Sequence, residues 1–436
     1  MGSEFVSLFH PLDARFNSGL TITMNDNTMH DLLLTCLHRT PINSQNALIE
    51  LEPAQWAELV ALAANQGVAP LLYHRIKAHN LTVMLPRQAM ATLQRAHHTN
   101  AIRNVKLYQE LVQLLKNLQA HNIPVIVLKG AYLAQAVYQN PAWRFMVDVD
   151  IMVHEADLPA AIEVVTATGY RPAQPVRLES KAVLHHLPGF LKDNDAALLE
   201  IHWTITQPNR PYTIEKVDEL WTRAQPFRLL GVEALTLCPE DLLLHLCVHA
   251  AYHHLFKMGV RPLYDIALTI DHFRAELDWE AVCQRSVEWG WERGVYLTLH
   301  LCNTLLGAAI PPHVLETLKP AEVPPQLVET AKAYLFMPDD ELDDTISNNF
   351  MRMVGDRPLM DKARLLIKRL LISRRELANA YGVPLDSPRL YLYYPVRLAD
   401  FLTNCSQQVW RYLTGETTFK RDADQRNRLI NWMEQA

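Results

Sequence analysis

The sequence has 436 residues, of which 49% are hydrophobic and 20% are charged, and its formal net charge at pH 7 is −6. This length allows two or three domains, and the composition is that of an ordinary soluble globular protein. The negative net charge excludes a global basic field that would draw the whole chain onto nucleic acid or a membrane.

The cysteine pattern and the absence of targeting signals predict a cytoplasmic protein. Six cysteines are scattered without CxxC spacing, which argues against a zinc ribbon or a disulfide framework. No apolar run reaches the length of a membrane span, and the start of the chain lacks the pattern of a signal peptide. We expect residues 1–23 to be a tag or a disordered leader and exclude them from the fold.

Three regions follow in chain order, and together they predict an α+β fold. Residues 24–122 carry long amphipathic patterns without strand signals, which predicts a helical region. Residues 123–230 contain two β-branched runs, two short helical patterns and a hairpin pattern with a turn near "KDND". This alternation predicts a small mixed-sheet core. Residues 231–436 are again helical in pattern, with breaks marked by proline.

The core contains the stretch "RFMVDVDIMV", which predicts a strand with two aspartates. Successive side chains of a strand point to opposite faces, so Asp148 and Asp150 share one face. Unpaired carboxylates at this spacing repel each other, so we expect a cation beside them. The face is either an edge open to water or a divalent metal site. For a metal site, replacing either aspartate by asparagine should abolish turnover and leave stability unchanged or raised.

A second strand, within "LLEIHW", places Glu200 and His202 on one face and apolar residues on the other. If this strand pairs beside the first, Glu200 becomes a third carboxylate at the same place. Three carboxylates suit Mg²⁺, which takes carboxylates together with substrate phosphates. Asp193 and Asp195 compete with Glu200 for this role, although both are expected in the turn before the strand.

Two further features of the core can bind an anion. The strand in "IPVIVLKG" ends at Lys129 and Gly130, and a helix begins at once, so unpaired backbone N–H groups and a lysine face the turn. The same pattern also fits a plain strand–turn–helix with a surface lysine. Arg144 either holds a phosphate or pairs with a carboxylate.

As a set, these motifs resemble the uncharacterised nucleotidyltransferase family of the DNA polymerase β-like nucleotidyltransferase superfamily. The matching strings are Leu128-Lys129-Gly130, Arg144, Asp148-Val149-Asp150-Ile151 and Glu200-Ile201-His202-Trp203. The chain departs from the superfamily at Ala131, where a residue with a hydroxyl or a second glycine usually follows the first glycine.

The resemblance implies an enzyme that moves a nucleoside monophosphate from an NTP to an acceptor hydroxyl or phosphate and releases pyrophosphate. It implies that Asp148, Asp150 and Glu200 bind Mg²⁺ or Mn²⁺ and that they are the catalytic residues. Lys129, Gly130, Arg144 and His202 would contact the NTP or support the carboxylates. The acceptor is a small molecule, peptide or protein. The alternatives are a toxin-like enzyme that acts on tRNA and a catalytically inactive nucleotide-binding adaptor.

Two other patterns have simpler interpretations. His245, His249 and His253 follow one another at helical spacing, but a zinc site would lack a third ligand. We expect this helix to pack over the catalytic sheet. The segment 361–376 is basic and would suit RNA, but we favour the solvated face of an amphipathic helix.

Overall fold

The computed structural model describes residues 26–39, 48, 51–176, 178, 184–192, 198–207, 216–337, 374, 377–378, 383–384, 386–396 and 417–435. Asp193 and Asp195 lie outside these residues, as does the basic segment 361–376 apart from Arg374. Within the described part of the chain, no helix is both long and apolar enough to cross a membrane.

The N-terminal region is helical, as its apolar periodicity predicts. Its helices are α1 (Asp26–Leu37), α2 (Pro53–Asn65), α3 (Ala69–Ala78) and α4 (Arg87–Ala120). At the start of α2, the backbone N–H of Glu52 donates to Oε1 of Gln55 at 2.8 Å, which supports the helix start. The chain leaves α2 at Gly67, whose φ of +66° favours glycine.

A mixed seven-stranded sheet forms the centre of the described residues, with strand order β3-β4-β5-β2-β1-β7-β6. The strands are β1 (Ile126–Val127), β2 (Asp148–Met152), β3 (Arg171–Pro172), β4 (Phe190–Leu191), β5 (Leu198–His202), β6 (Gln225–Leu229) and β7 (Val232–Thr236). The mixed sheet and its helical flanks confirm the predicted α+β class. The strand β2 lies in the middle of the sheet, antiparallel to β1 and parallel to β5.

Short helices connect the central strands. The helix α5 (Lys129–Tyr132) follows β1 after one residue and continues into a π-helical turn at Leu133–Val137. The helix α6 (Leu158–Ala167) follows β2 and ends before Gly169, which has a positive φ.

The sheet extends further along the chain than its sequence pattern predicts. The strand β7 pairs with β1 in parallel and with β6 as a hairpin, although we expected residues 231–436 to be helical. The hairpin turns at Leu230 and Gly231, which both have positive φ. A leucine in this conformation is uncommon, so the turn gives no recognisable sequence signal.

The remaining described elements are helical. They are α7 (Val217–Arg223), α8 (Pro239–Val248), α9 (Arg261–His272), α10 (Trp279–Glu288), α11 (Glu292–Leu306), α12 (Pro312–Leu318), α13 (Pro325–Leu335) and α14 (Thr417–Met433). One continuous hydrophobic core runs from α1 through the sheet to α14. The boundaries between the three predicted regions stay predictions.

Candidate active site

The register between β2 and β5 brings the predicted carboxylates together. Asp150 lies opposite Glu200, and Asp148 lies opposite Leu198, two residues before Glu200. The predicted pairing of these strands is therefore confirmed. The alternative of an edge strand open to water is wrong, because β2 is central in the sheet and Asp150 is only 2% exposed.

Asp150 accepts two hydrogen bonds at one oxygen. Nζ of Lys129 donates to Oδ1 at 2.8 Å, and Nε2 of His202 lies 2.9 Å from the same oxygen. Burial alone would raise the pKa of Asp150, but Lys129 and His202 outweigh burial and hold this pKa well below its usual range. The cation expected beside the aspartates is thus Lys129, and its partner is Asp150.

Asp148 has a different environment from Asp150. Burial and the neighbouring charge of Asp150 raise the pKa of Asp148 to about 6, against the opposing effect of Lys129. This carboxylate therefore carries an uncompensated charge, which a bound cation would relieve.

One group of side chains in the described residues has the close spacing that a metal ion needs. Ligand atoms of Asp150, Glu200 and His202 all lie within 4.8 Å of one another, and Nε2 of His202 is 3.6 Å from Oε2 of Glu200. Two carboxylates suit Mg²⁺, and an added imidazole also suits Mn²⁺. The donor set fits a divalent cation. It includes His202, which we expected to contact the NTP or support the carboxylates, whereas Asp148 lies outside this closest group.

The turn after β1 is filled by protein groups. A Cβ on Gly130 would lie 2.6 Å from Nη1 of Arg144, so the glycine makes room for this guanidinium. Lys129 has a φ of +36°, a strained backbone that is common at functional sites. The predicted contacts of Lys129 and Gly130 with a phosphate stay predictions.

Arg144 forms a buried ion pair with a residue that the sequence did not single out. Its Nε and Nη2 donate to the two carboxylate oxygens of Asp265 on α9 at 2.9 and 2.7 Å. The hydroxyl of Tyr138 also donates to Asp265, at 2.8 Å. Of the two predicted roles, Arg144 thus pairs with a carboxylate, although not with one on β2 or β5. Its contact with a nucleotide stays a prediction.

Histidines cover the Glu200 side of the site. The chain leaves α8 through a π-helical turn at His249–His253, and the ring of His253 lies 4.7 Å from that of His185. His185 and His186 lie 5.4 and 5.0 Å from His202. The helix thus packs over the site as expected, and the "LHHL" string is the signal that identifies the two added histidines.

The family comparison agrees with this geometry. The family model described as "Uncharacterised nucleotidyltransferase" matches residues 52–307, which is more than half of the chain. No curated protein matches the chain.

Proposed function

Because the chain belongs to this nucleotidyltransferase family, we propose that it transfers a nucleoside monophosphate from an NTP to an acceptor in a metal-dependent reaction. The observation that carries the proposal is the parallel pairing of Asp150 with Glu200, with Asp148 on the same strand as Asp150. Carboxylates gathered in this way bind the divalent cation that accompanies a triphosphate. All three carboxylates are present, which argues against the inactive adaptor.

Asp148, Asp150 and Glu200 would bind Mg²⁺ or Mn²⁺, and His202 would hold Asp150 in place or join the ligands. The cation would neutralise charge on the phosphates. The other contributions come from the chain. For a hydroxyl acceptor, its oxygen bonds to the α-phosphorus as the bond from that phosphorus to the pyrophosphate oxygen breaks. Glu200 takes the hydroxyl proton, and pyrophosphate leaves.

Lys129 would act in the site both without and with a bound metal cation. Its ammonium group is buried against Asp150 and there offsets part of the carboxylate charge. When a cation takes over that role, the same ammonium group can turn to a phosphate oxygen. Positioning and charge stabilisation of this kind account for most of the rate in phosphoryl chemistry.

A thermal-shift experiment tests the proposal. Wild-type protein is heated with millimolar Mg-ATP, Mg-GTP, Mg-CTP or Mg-UTP, and we expect at least one of them to raise the melting temperature. The variant Asp150→Asn should lose this shift. The matched control is Glu155→Gln, which alters an exposed carboxylate just after β2 and should keep it. No shift with any of the four nucleotides would rule out the proposed function.

Transfer itself is tested with NTPs labelled at the α-phosphate and incubated with cell extract. Label should become attached to an acceptor with the wild type and not with Asp148→Asn or Asp150→Asn. Treatment of the labelled product with ribonuclease or protease then separates a tRNA acceptor from a protein or peptide acceptor.

A further inference from the structure

Two arginines meet at one aromatic ring beside the candidate active site. The guanidinium carbons of Arg103 and Arg261 lie 5.2 and 6.0 Å from the ring centroid of Phe145. We refer to these three residues as the arginine–phenylalanine cluster. Arg103 belongs to α4, Phe145 precedes β2 and Arg261 begins α9, so three parts of the chain meet here. Ligand sites are frequent at such junctions.

Among the described residues, no carboxylate forms an ion pair with Arg103 or Arg261. Nη1 of Arg261 donates to the backbone oxygen of Phe145 at 3.1 Å, and its Nε is buried without a hydrogen-bond partner among the described residues. The nearby Asp265 is already bound at both oxygens by Arg144. Burial lowers the pKa of Arg261, and the adjacent Arg144 lowers it further. An anion would therefore stabilise this guanidinium.

The cluster lies on one side of the predicted metal ligands. Phe145 is three residues before Asp148 along the chain, and the charge of Asp148 opposes the burial effect on the pKa of both arginines. Glu200, in contrast, lies beside His202, and the charge of His186 lowers the pKa of Glu200. Two arginines thus act on the Asp148 carboxylate, and two imidazoles act on the Glu200 carboxylate.

Without a bound ligand, protein groups fill the turn after β1, where the sequence predicts an anion contact. The ammonium group of Lys129 is bound to Asp150, and the space in front of Gly130 is taken by the guanidinium of Arg144. Arg144 in turn is bound at two points by Asp265. Among the described residues, Arg261 of the arginine–phenylalanine cluster has a guanidinium N–H group that no protein acceptor binds.

We propose that Arg103 and Arg261 bind the β- and γ-phosphates of the NTP, the part that leaves as pyrophosphate, while the acceptor approaches from the Glu200 side. This inference rests on the proposed function. Guanidinium groups bind phosphate oxygens with two parallel hydrogen bonds. The negative charge that develops on the bridging oxygen of the departing pyrophosphate would be stabilised at this side of the site.

Inorganic pyrophosphate with Mg²⁺ is the direct probe, because it carries the proposed recognition group without base or ribose. Calorimetric titration compares Mg-pyrophosphate, the Mg-NTP with the largest thermal shift, and the corresponding NMP. We expect Arg103→Gln and Arg261→Gln each to weaken pyrophosphate and NTP binding about 10- to 100-fold, the range for hydrogen bonds to charged groups. NMP binding should be unchanged, and Arg261→Lys should recover part of the loss.

Two exposed arginines, one on α4 and one just after α9, provide matched controls. Arg95→Gln on α4 and Arg274→Gln, two residues after the end of α9, change the net charge equally, and both side chains face solvent. We expect both controls to bind pyrophosphate like the wild type. Thermal unfolding of each variant shows whether it is folded, and Arg103→Gln, on a partly exposed helix position, carries the test if Arg261→Gln does not fold.

The outcomes separate this inference from the proposed function. Wild-type protein that binds no Mg-NTP overturns both. Wild-type protein that binds Mg-NTP, together with folded glutamine variants that bind pyrophosphate equally well, overturns only the assignment of the arginines. An equal loss of NMP and pyrophosphate binding also overturns it, because the effect is then not specific to the terminal phosphates.

Discussion

Replacing Asp148 and Asp150 by asparagine should change stability in opposite directions when no divalent cation is bound. The sequence alone predicts that either change leaves stability unchanged or raises it, because it relieves repulsion. The structure gives the two aspartates different environments. Asp148 bears the repulsion and the burial, whereas Asp150 accepts hydrogen bonds from Lys129 and His202.

For Asp148, the size of the stability change follows from its pKa of about 6, against 3.8 for an ordinary aspartate. Since the folded pKa is the higher one, the native state binds more protons, and stability falls as pH rises through this range. Each pKa unit corresponds to about 1.4 kcal/mol, so Asp148→Asn should raise the free energy of unfolding at pH 7.5 by about 1–3 kcal/mol. The gain should disappear below about pH 4, where Asp148 is protonated in both states.

For Asp150, substitution leaves the buried ammonium group of Lys129 without its partner. Breaking a buried ion pair costs about 3–5 kcal/mol. Glu200 and Asp148 also act on Lys129, so we expect Asp150→Asn to lose about 3 kcal/mol, the lower end of that range. Urea unfolding in EDTA at pH 7.5 measures both variants. The same sign of change in both would refute this assignment of charges.

Three further substitutions test the proposed catalytic role of Glu200 and the packing beside the site. Glu200→Gln should reduce turnover about 100-fold or more, the effect of losing a general base, with little change in NTP affinity. If Glu200→Gln instead turns over like the wild type, and Asp193→Asn or Asp195→Asn is inactive, the third carboxylate lies in the preceding turn. Gly130→Ala should lower the free energy of unfolding by about 1–3 kcal/mol, because the added methyl group overlaps Nη1 of Arg144; an unchanged urea midpoint would contradict that packing. Asp265→Ala should cost about 3–5 kcal/mol in the same assay, because it leaves the guanidinium of Arg144 buried and unpaired; a smaller loss than from Glu155→Gln would be incompatible with the buried pair.

Local alternation of side chains was enough to predict which of the candidate carboxylates share a face of their strand. Asp148 and Asp150, then Glu200 and His202, alternate with apolar residues, and a strand of this kind fixes which side chains share a face. Two such strands with the same polar pattern can pair, and β2 and β5 do so with Asp150 opposite Glu200. The shared faces depended only on neighbours within each strand, whereas the metal-binding role of the carboxylates was implied by the family resemblance.

Partners that are distant in sequence could not be predicted in the same way. Arg144 and Asp265 are 121 positions apart, and neither local pattern shows that the other residue faces it. The convergence of Arg103 and Arg261 on Phe145 likewise depends on how α4 and α9 pack, which periodicity does not encode. The two left-handed residues Leu255 and Phe256, with φ of +50° and +63°, lack the glycine that would mark such a turn.

The charges around the site predict that metal and nucleotide bind cooperatively. Lys129 interacts electrostatically with Asp148, Asp150 and Glu200, and Arg103 and Arg261 both interact with Asp148. A metal cation alone is repelled by the arginines and Lys129, and a triphosphate alone is repelled by the carboxylates. Together the two ligands keep positive and negative charge balanced, so each should raise the affinity for the other by the same factor.

The binding of Mn²⁺, followed by its electron paramagnetic resonance signal, measures this coupling. We expect Mn²⁺ to bind weakly without NTP and at least tenfold more tightly with it, which is about 1.4 kcal/mol of coupling. In Arg261→Gln the coupling should decrease, because fewer cations then oppose the metal. Equal Mn²⁺ affinity of the wild type with and without NTP would show that the carboxylates bind the metal independently of the nucleotide.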